Sequence, residues 1–180
     1  MKSKKTLLYL VLAAVLAFSA FFIGCDKGEG APLKGTMTIV ILSEDASKTK
    51  EVQVDLSKFT DKDNVDDVID ALASEQKICY KGSKGIYGMY YTAIGILVES
   101  EYNGETYMAD SYIIEENSSA GQYVYVFTSV ESDQLKVTEG YTAQSVEYGG
   151  QKLIESSKGV SYLNLVDGAV VCFSLIVYAG

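Results

Sequence analysis

One short segment of this 180-residue chain carries the periodicity of a helix, and almost everything else alternates or turns as strands do. Val65, Val68, Ile69 and Leu72 fall at i, i+3, i+4 and i+7, which places them on one face of a helix. Asn64 stands before them as an N-cap, Asp66 and Asp67 occupy the first turn where the helix dipole favours acids, and Lys77 lies near the far end. The spacing predicts an amphipathic helix over Asn64–Glu75. Upstream, Thr36–Leu42 and Lys50–Leu56 read as strands; in the second, Val52, Val54 and Leu56 alternate with polar residues, and Ser43–Thr49 supplies a polar loop between the two. Downstream of Ile78 the chain reads as strands throughout. Gly85–Val98 is apolar and aromatic, Asn103-Gly104 is a strong hairpin signal within Glu101–Tyr107, and Tyr112–Ile114 and Gln122–Val130 follow. Ser145–Ile154 folds about Gly149-Gly150, and Val160–Leu165 is expected to pair with Ala169–Tyr178 across Asp167-Gly168. Two strands, a helix and then several strands make an α+β fold, with one amphipathic helix on a mainly antiparallel sheet and extra hairpins.

The first 24 residues read as an address. Lys2, Lys4 and Lys5 form a positive start, Thr6–Ile23 carries no charge, and Gly24-Cys25 closes the run. Phe22-Ile23-Gly24-Cys25 resembles a bacterial lipobox, which implies cleavage after Gly24 and a diacylglyceryl thioether on Cys25. The alternative is an uncleaved anchor, since the 19 residues Thr6–Gly24 are enough to cross a bilayer. Either way the remainder is expected on the extracytoplasmic face of a bacterial membrane, tethered to it. Residues 25–35, polar and Gly-rich with the chain's single Pro, read as a flexible tether, and 36–180 as the folded domain. Losing the three leader lysines moves the formal charge from −9 to −12, which argues against a basic membrane patch.

Three absences narrow the chemistry. The chain has no His, no Trp and, because every basic residue is Lys, no Arg. Without His, neither a Ser–His nor a Cys–His pair can form, and the adjacent Ser47-Lys48, Ser83-Lys84 and Ser157-Lys158 pairs lack the spacing of a catalytic motif. No catalytic residue is assigned, and the chain is read as a non-enzyme. An acidic chain without Arg is poorly suited to nucleic acid. Asp61–Asp67 is rich in carboxylates, but an EF-hand loop starting at Asp61 would place Val65, Asp66 and Leu72 at its fifth, sixth and twelfth positions, so it reads as an acidic helix cap and no metal site is assigned. With Cys25 lipidated, Cys79 and Cys172 remain; they are either a disulfide pair or two small buried hydrophobes.

Tyrosine is the residue that invites a function. There are 14, and Tyr presents a flat apolar face with a polar tip, suited to sugars, corrinoid rings or partner surfaces. Tyr123, Tyr125 and Phe127 share one strand face, and Tyr87 and Tyr91 are expected to share another. Tyr80, Tyr87, Tyr90 and Tyr91, set among Gly82, Gly85 and Gly88, form the candidate ligand-binding edge.

The strings "NVDDVIDAL", "GIYGMYYTAIG", "YVYVFTSV", "EYGGQKL" and "GVSYLNLVDGAVVCFSL" resemble the transcobalamin-like C-terminal domain family, catalogued largely as a domain of unknown function in surface proteins and lipoproteins. The resemblance spans roughly residues 36–178 and implies a β-grasp-like fold and, by analogy with the animal relatives, one wall of a cobalamin site. The expected function is therefore a lipid-anchored binding module, non-catalytic, for a corrinoid or similar small ligand. The alternative is an adhesion or assembly module that recognises protein or glycan through its Tyr-rich edge.

Overall fold

The computed structural model describes residues 30–138 and 140–178. The expected leader at 1–24, the expected lipidation site Cys25 and the tether as far as residue 29 lie outside the described residues. The elements are β1 (Thr36–Leu42), β2 (Lys50–Asp55), α1 (Val65–Ser74), β3 (Cys79–Gly85), β4 (Gly88–Tyr102), β5 (Glu105–Glu115), β6 (Gln122–Thr128), β7 (Ser145–Tyr148), β8 (Gln151–Glu155) and β9 (Val170–Val177). They form a six-stranded sheet in the order β2-β1-β9-β6-β8-β7 and a three-stranded sheet β3-β4-β5. Every pairing is antiparallel except β1 with β9, which run parallel at the centre of the larger sheet. The fold is α+β.

The helix α1 forms for the reasons its sequence suggests. Asn64 Oδ1 accepts from the N–H groups of Asp66 and Asp67 at 2.9 and 3.3 Å, and Asp67 reaches back to the Asn64 N–H at 2.9 Å, closing a capping box. Asp61–Asp67 is thus the approach to this cap. Val65, Val68, Ile69 and Leu72 bury the apolar stripe.

The uninterrupted apolar run of β1 reflects burial on both faces. Met37, Ile39 and Ile41 face the helix together with Val171 and Phe173 of β9, while Val40 and Cys172 point the other way and pack with Phe127 and Leu153. Each fully buried Ile, Val or Leu contributes roughly 1.5–3 kcal/mol, so this two-sided centre dominates stability. Tyr91, Ile94 and Ile114 bring the smaller sheet onto the helix-side core.

The β4–β5 and β7–β8 hairpins turn at residues with positive φ: Asn103 and Gly104 at 53° and 80°, Gly149 and Gly150 at 58° and 78°. These are the conformations that two-residue hairpin loops require. Two expectations change. Val160–Leu165 is not a strand: Val160–Tyr162 is a 3-10 turn, and only Asn164 makes an isolated bridge, to Asn64. Its apolar residues Val160, Leu163 and Leu165 enter the core from this irregular segment, so the partners of β9 are β1 and β6. Order also begins ahead of residue 36: Leu33 N–H donates to the Phe59 carbonyl at 3.0 Å and Ala31 N–H to Asp61 Oδ1 at 2.9 Å.

Candidate functional site

β6 is paired with β9 along its whole length but with β8 only at Phe127 and Thr128. β8 ends at Glu155, and the chain then turns away, with Ser157 N–H donating to the Asp133 carbonyl at 2.9 Å. Beside Tyr123–Tyr125 the position of a neighbouring strand is therefore left open, and at Val126 only the carbonyl is taken, by the Ser156 N–H at 2.8 Å. A cleft of about 340 Å³ occupies this open position. Four consecutive β6 residues, Tyr123, Val124, Tyr125 and Val126, line this cleft. Side chains alternate across a strand, so consecutive residues can meet one cavity only through their common edge. The cleft therefore meets the sheet edge-on, with rings above and below the exposed backbone.

Tyr178 and Tyr90 complete the aromatic lining. The Tyr178 ring lies 6.1 Å from Tyr123 and 6.0 Å from Tyr125, tilted against both, and its hydroxyl donates to the Tyr125 hydroxyl at 2.7 Å. Burial, reinforced by that bond, raises the Tyr125 phenol above its ordinary range. Tyr90 donates to Glu116 Oε1, and burial followed by this carboxylate pushes its phenol up as well. The same Glu116 oxygen accepts from Val124 N–H at 3.1 Å, so a side chain takes the place of a strand at that point.

Glu155, Ser156 and Lys158 close one end. Glu155 is only 8 % exposed and is satisfied by the Tyr141 hydroxyl at 2.8 and 3.0 Å and the Gln144 N–H at 3.0 Å. This carboxylate pushes the Tyr141 phenol up to about 12. Lys158 Nζ lies 2.6 Å from Asp133 Oδ1, and Asp133, fully buried, also accepts from Asn164 N–H at 3.2 Å and Asn164 Nδ2 at 3.0 Å. Two buried carboxylates thus fix the end wall, one holding the 141–144 loop and the other holding Lys158. Among the described residues, no three His, Cys, Asp or Glu side chains gather as metal ligands.

The four tyrosines singled out in the sequence separate. Tyr90 lines the cleft. Tyr91 is buried, donates to Asp66 Oδ1 at 2.5 Å and stands edge-on to Phe173 at 5.6 Å. Tyr80 donates to Asp70 Oδ1 at 2.6 Å and packs edge-on to Tyr91 at 5.1 Å. Tyr87 sits in the β3–β4 turn, 81 % exposed, and shares no face with Tyr91 because β4 starts only at Gly88. The face shared by Tyr123, Tyr125 and Phe127 does contribute, although Phe127 itself is buried beneath it. The sequence pattern missed Glu155, Lys158 and Tyr178, which come from two separate segments, the end of β8 and the residue after β9.

Cys79 and Cys172 are free thiols, so no bridge joins them. Cys79 belongs to the smaller sheet, its thiol 3.3 Å from the Ile96 carbonyl, whereas Cys172 lies at the centre of the larger sheet on the face away from the helix. Burial pushes the Cys172 thiol up to about 12, as expected of an inert hydrophobe. Among the described residues, no helix is long and apolar enough to cross a membrane.

No protein-family model matches the chain, and no curated protein matches it. Among solved structures, the chain is similar to a crystal structure of a candidate metal-binding protein from Ruminococcus gnavus, at 15 % identity and a TM-score of 0.45, over 81 % of this chain and 100 % of that one.

Proposed function

We propose that this chain is a lipid-anchored, extracytoplasmic binding module that takes a compact ligand in the cleft beside β6 and catalyses nothing. The observation that carries the reading is the cleft itself: Tyr rings flank an open stretch of strand edge, and two satisfied buried carboxylates hold the end wall in place. Such a mixture of apolar rings and a few fixed polar groups is what small-molecule sites use. The anchor rests on the Lys2–Cys25 pattern. A β-grasp-like description is supported by the parallel pairing of β1 with β9, with α1 following the first hairpin. At about 340 Å³ the cleft is at the small end of ligand pockets, which run to roughly 1,000 Å³. A corrinoid, the ligand implied by the transcobalamin resemblance, would be gripped by one rim.

Calorimetric titration of the full chain in detergent micelles with cyanocobalamin, cellobiose and the tripeptide Ala-Leu-Ala tests the site. At least one should bind, and Tyr123→Ala with Tyr178→Ala should weaken it while leaving the urea midpoint near that of the parent. Silence from all three ends the reading. Cys25→Ala should abolish incorporation of labelled palmitate; unchanged labelling would remove the anchor.

A second reading has its own observation. Ile86 and Tyr87 project from the β3–β4 turn at 85 % and 81 % exposed, beside the half-exposed Tyr162. This tip favours a surface contact, as an adhesion module would make. Ile86→Ser with Tyr87→Ser should then abolish retention on cell-wall material without changing occupancy of the cleft.

A further inference from the structure

The open edge of β6 has a polarity that restricts its guest. Register with β9 places Tyr123, Tyr125 and Phe127 opposite Ile176, Ser174 and Cys172, and the flanking bonds Ser129 N–H to Val170 O and Tyr178 N–H to Gly121 O fix the alternation. The backbone groups of Val124 and Val126 therefore point away from β9 and into the cleft. One group of each is already engaged: Val124 N–H by Glu116 Oε1 and Val126 C=O by Ser156 N–H at 2.8 Å. The two that remain, Val124 C=O and Val126 N–H, have no strand beside them among the described residues. An antiparallel guest would take the same two groups through two of its residues, the ones on either side of the residue opposite Tyr125, so the bonds admit both directions and the groups at the two ends decide between them. In a parallel ladder, one guest residue instead bridges the C=O of host residue i and the N–H of i+2. That is the pair left over. A single trans amide cannot bridge them, because its N–H and C=O point in opposite directions; an extended amino-acid residue can.

The ends of the notch carry unlike groups. Glu116 marks the Val124 end; at the Val126 end the Glu155 and Asp133 carboxylates are already engaged, Asp133 by Lys158 itself, and the partly exposed Lys158 ammonium lies with Ser156 as the cation a guest can reach. A guest running parallel to β6 turns its N-terminus towards Glu116 and its C-terminus towards Lys158. The room is limited, because Gln122 is already bonded in both directions to Asn117 and Phe127 is opposite Glu155. Because Ser156 N–H already takes the Val126 carbonyl, the fully open edge is three residues, Tyr123–Tyr125, or roughly 10 Å of strand at about 3.3 Å per residue.

We propose that the cleft binds a short peptide with free termini, about three residues long, lying extended and parallel to β6 with its middle residue clamped between Val124 C=O and Val126 N–H. The rings of Tyr123 and Tyr125 flank its side chains, and the charges of Glu116 and Lys158 select its ends. The inference rests on the binding-module reading and names the ligand class of that same site.

The test uses the full chain in detergent micelles, with calorimetry for affinity and the Val126 amide proton resonance for position. Ala-Leu-Ala should bind one to one and shift that resonance. The same peptide acetylated and amidated at its ends, and a version N-methylated at Leu, should each bind at least about tenfold more weakly, since each loses a charged contact or the bond to Val124 C=O. Equal binding of the blocked or N-methylated peptide would overturn the clamp while leaving a binding module standing. Cellobiose or cyanocobalamin shifting Val126 when Ala-Leu-Ala does not would likewise overturn the peptide assignment alone. If none of the three binds, the peptide inference and the cleft reading fail together.

Discussion

Tyr91 donates its phenolic hydrogen to Asp66 Oδ1 at 2.5 Å, tying β4 to the first turn of α1 inside the core. The second oxygen of Asp66 accepts from Ser161 Oγ at 2.8 Å, and Ser161 Oγ in turn accepts from Met89 N–H at 2.9 Å. One carboxylate therefore fastens the helix, the smaller sheet and the 3-10 turn together. Tyr91→Phe keeps the ring but leaves that oxygen without its donor. The expected loss is about 1–3 kcal/mol by urea unfolding. Ser161→Ala should cost a comparable amount, and the double variant should deviate from additivity because both residues share Asp66.

Asp133 offers a graded comparison. Its carboxylate is fully buried and holds both Lys158 and Asn164. Asp133→Ala strips the anchor from both and should destabilise by about 3–5 kcal/mol. Lys158→Met leaves the two Asn164 bonds in place, and its ammonium is partly solvated, so the loss should stay nearer about 1–3 kcal/mol. Equal losses in thermal unfolding would mean that Asn164 contributes little.

Alkaline pH should unfold this protein through its tyrosines. Carboxylate partners push the phenols of Tyr80, Tyr112, Tyr141 and Tyr148 up to about 12, and burial raises Tyr90, Tyr91 and Tyr125 as well. The fold favours the protonated form of each, so their contribution is complete below pH 10, the ordinary phenol value, and disappears as pH climbs from 10 through 12. Absorbance of phenolate near 295 nm should lag behind that of the urea-unfolded chain across this window. Coincident titration curves would contradict the hydrogen bonds seen here.

Gly95 sits at the irregularity between Ile94 and Gly95 in the β4–β5 ladder. A Cβ there would come within 2.0 Å of the Ser111 carbonyl oxygen and 2.6 Å of Tyr112 Cα, both backbone atoms that cannot swing aside. Gly95→Ala should therefore destabilise by about 1–3 kcal/mol, whereas Gly104→Ala meets no atom and is opposed only by its φ of +80°. A smaller shift in thermal midpoint at position 95 than at 104 would show that the ladder relaxes easily.

Local chemistry made much of this architecture readable in advance. The Asn64 cap, the Val65–Leu72 stripe and the Asn103-Gly104 and Gly149-Gly150 turns each act within a few residues, so their signals survive without tertiary context. Val160–Leu165 misleads because Val160, Leu163 and Leu165 are apolar for the sake of the core, while the backbone has no neighbouring strand to pair with. Tyr90 and Tyr91 show the same limit within a single dipeptide: adjacent rings leave opposite sides of β4, one for the cleft and one for the core. The cleft arises because β8 stops short of half of β6 and the chain returns with Lys158 and Tyr178. Only the assembled sheet specifies that meeting.

The placement of β9 between β1 and β6 bears on timing during synthesis. Residues Val170–Val177 emerge after every other strand, yet they alone connect the β1–β2 hairpin to the β6–β8–β7 ladder. Until that stretch emerges, the nascent chain holds two partial sheets whose inner edges are both unpaired. Closure is then a single late event that completes both apolar layers at once.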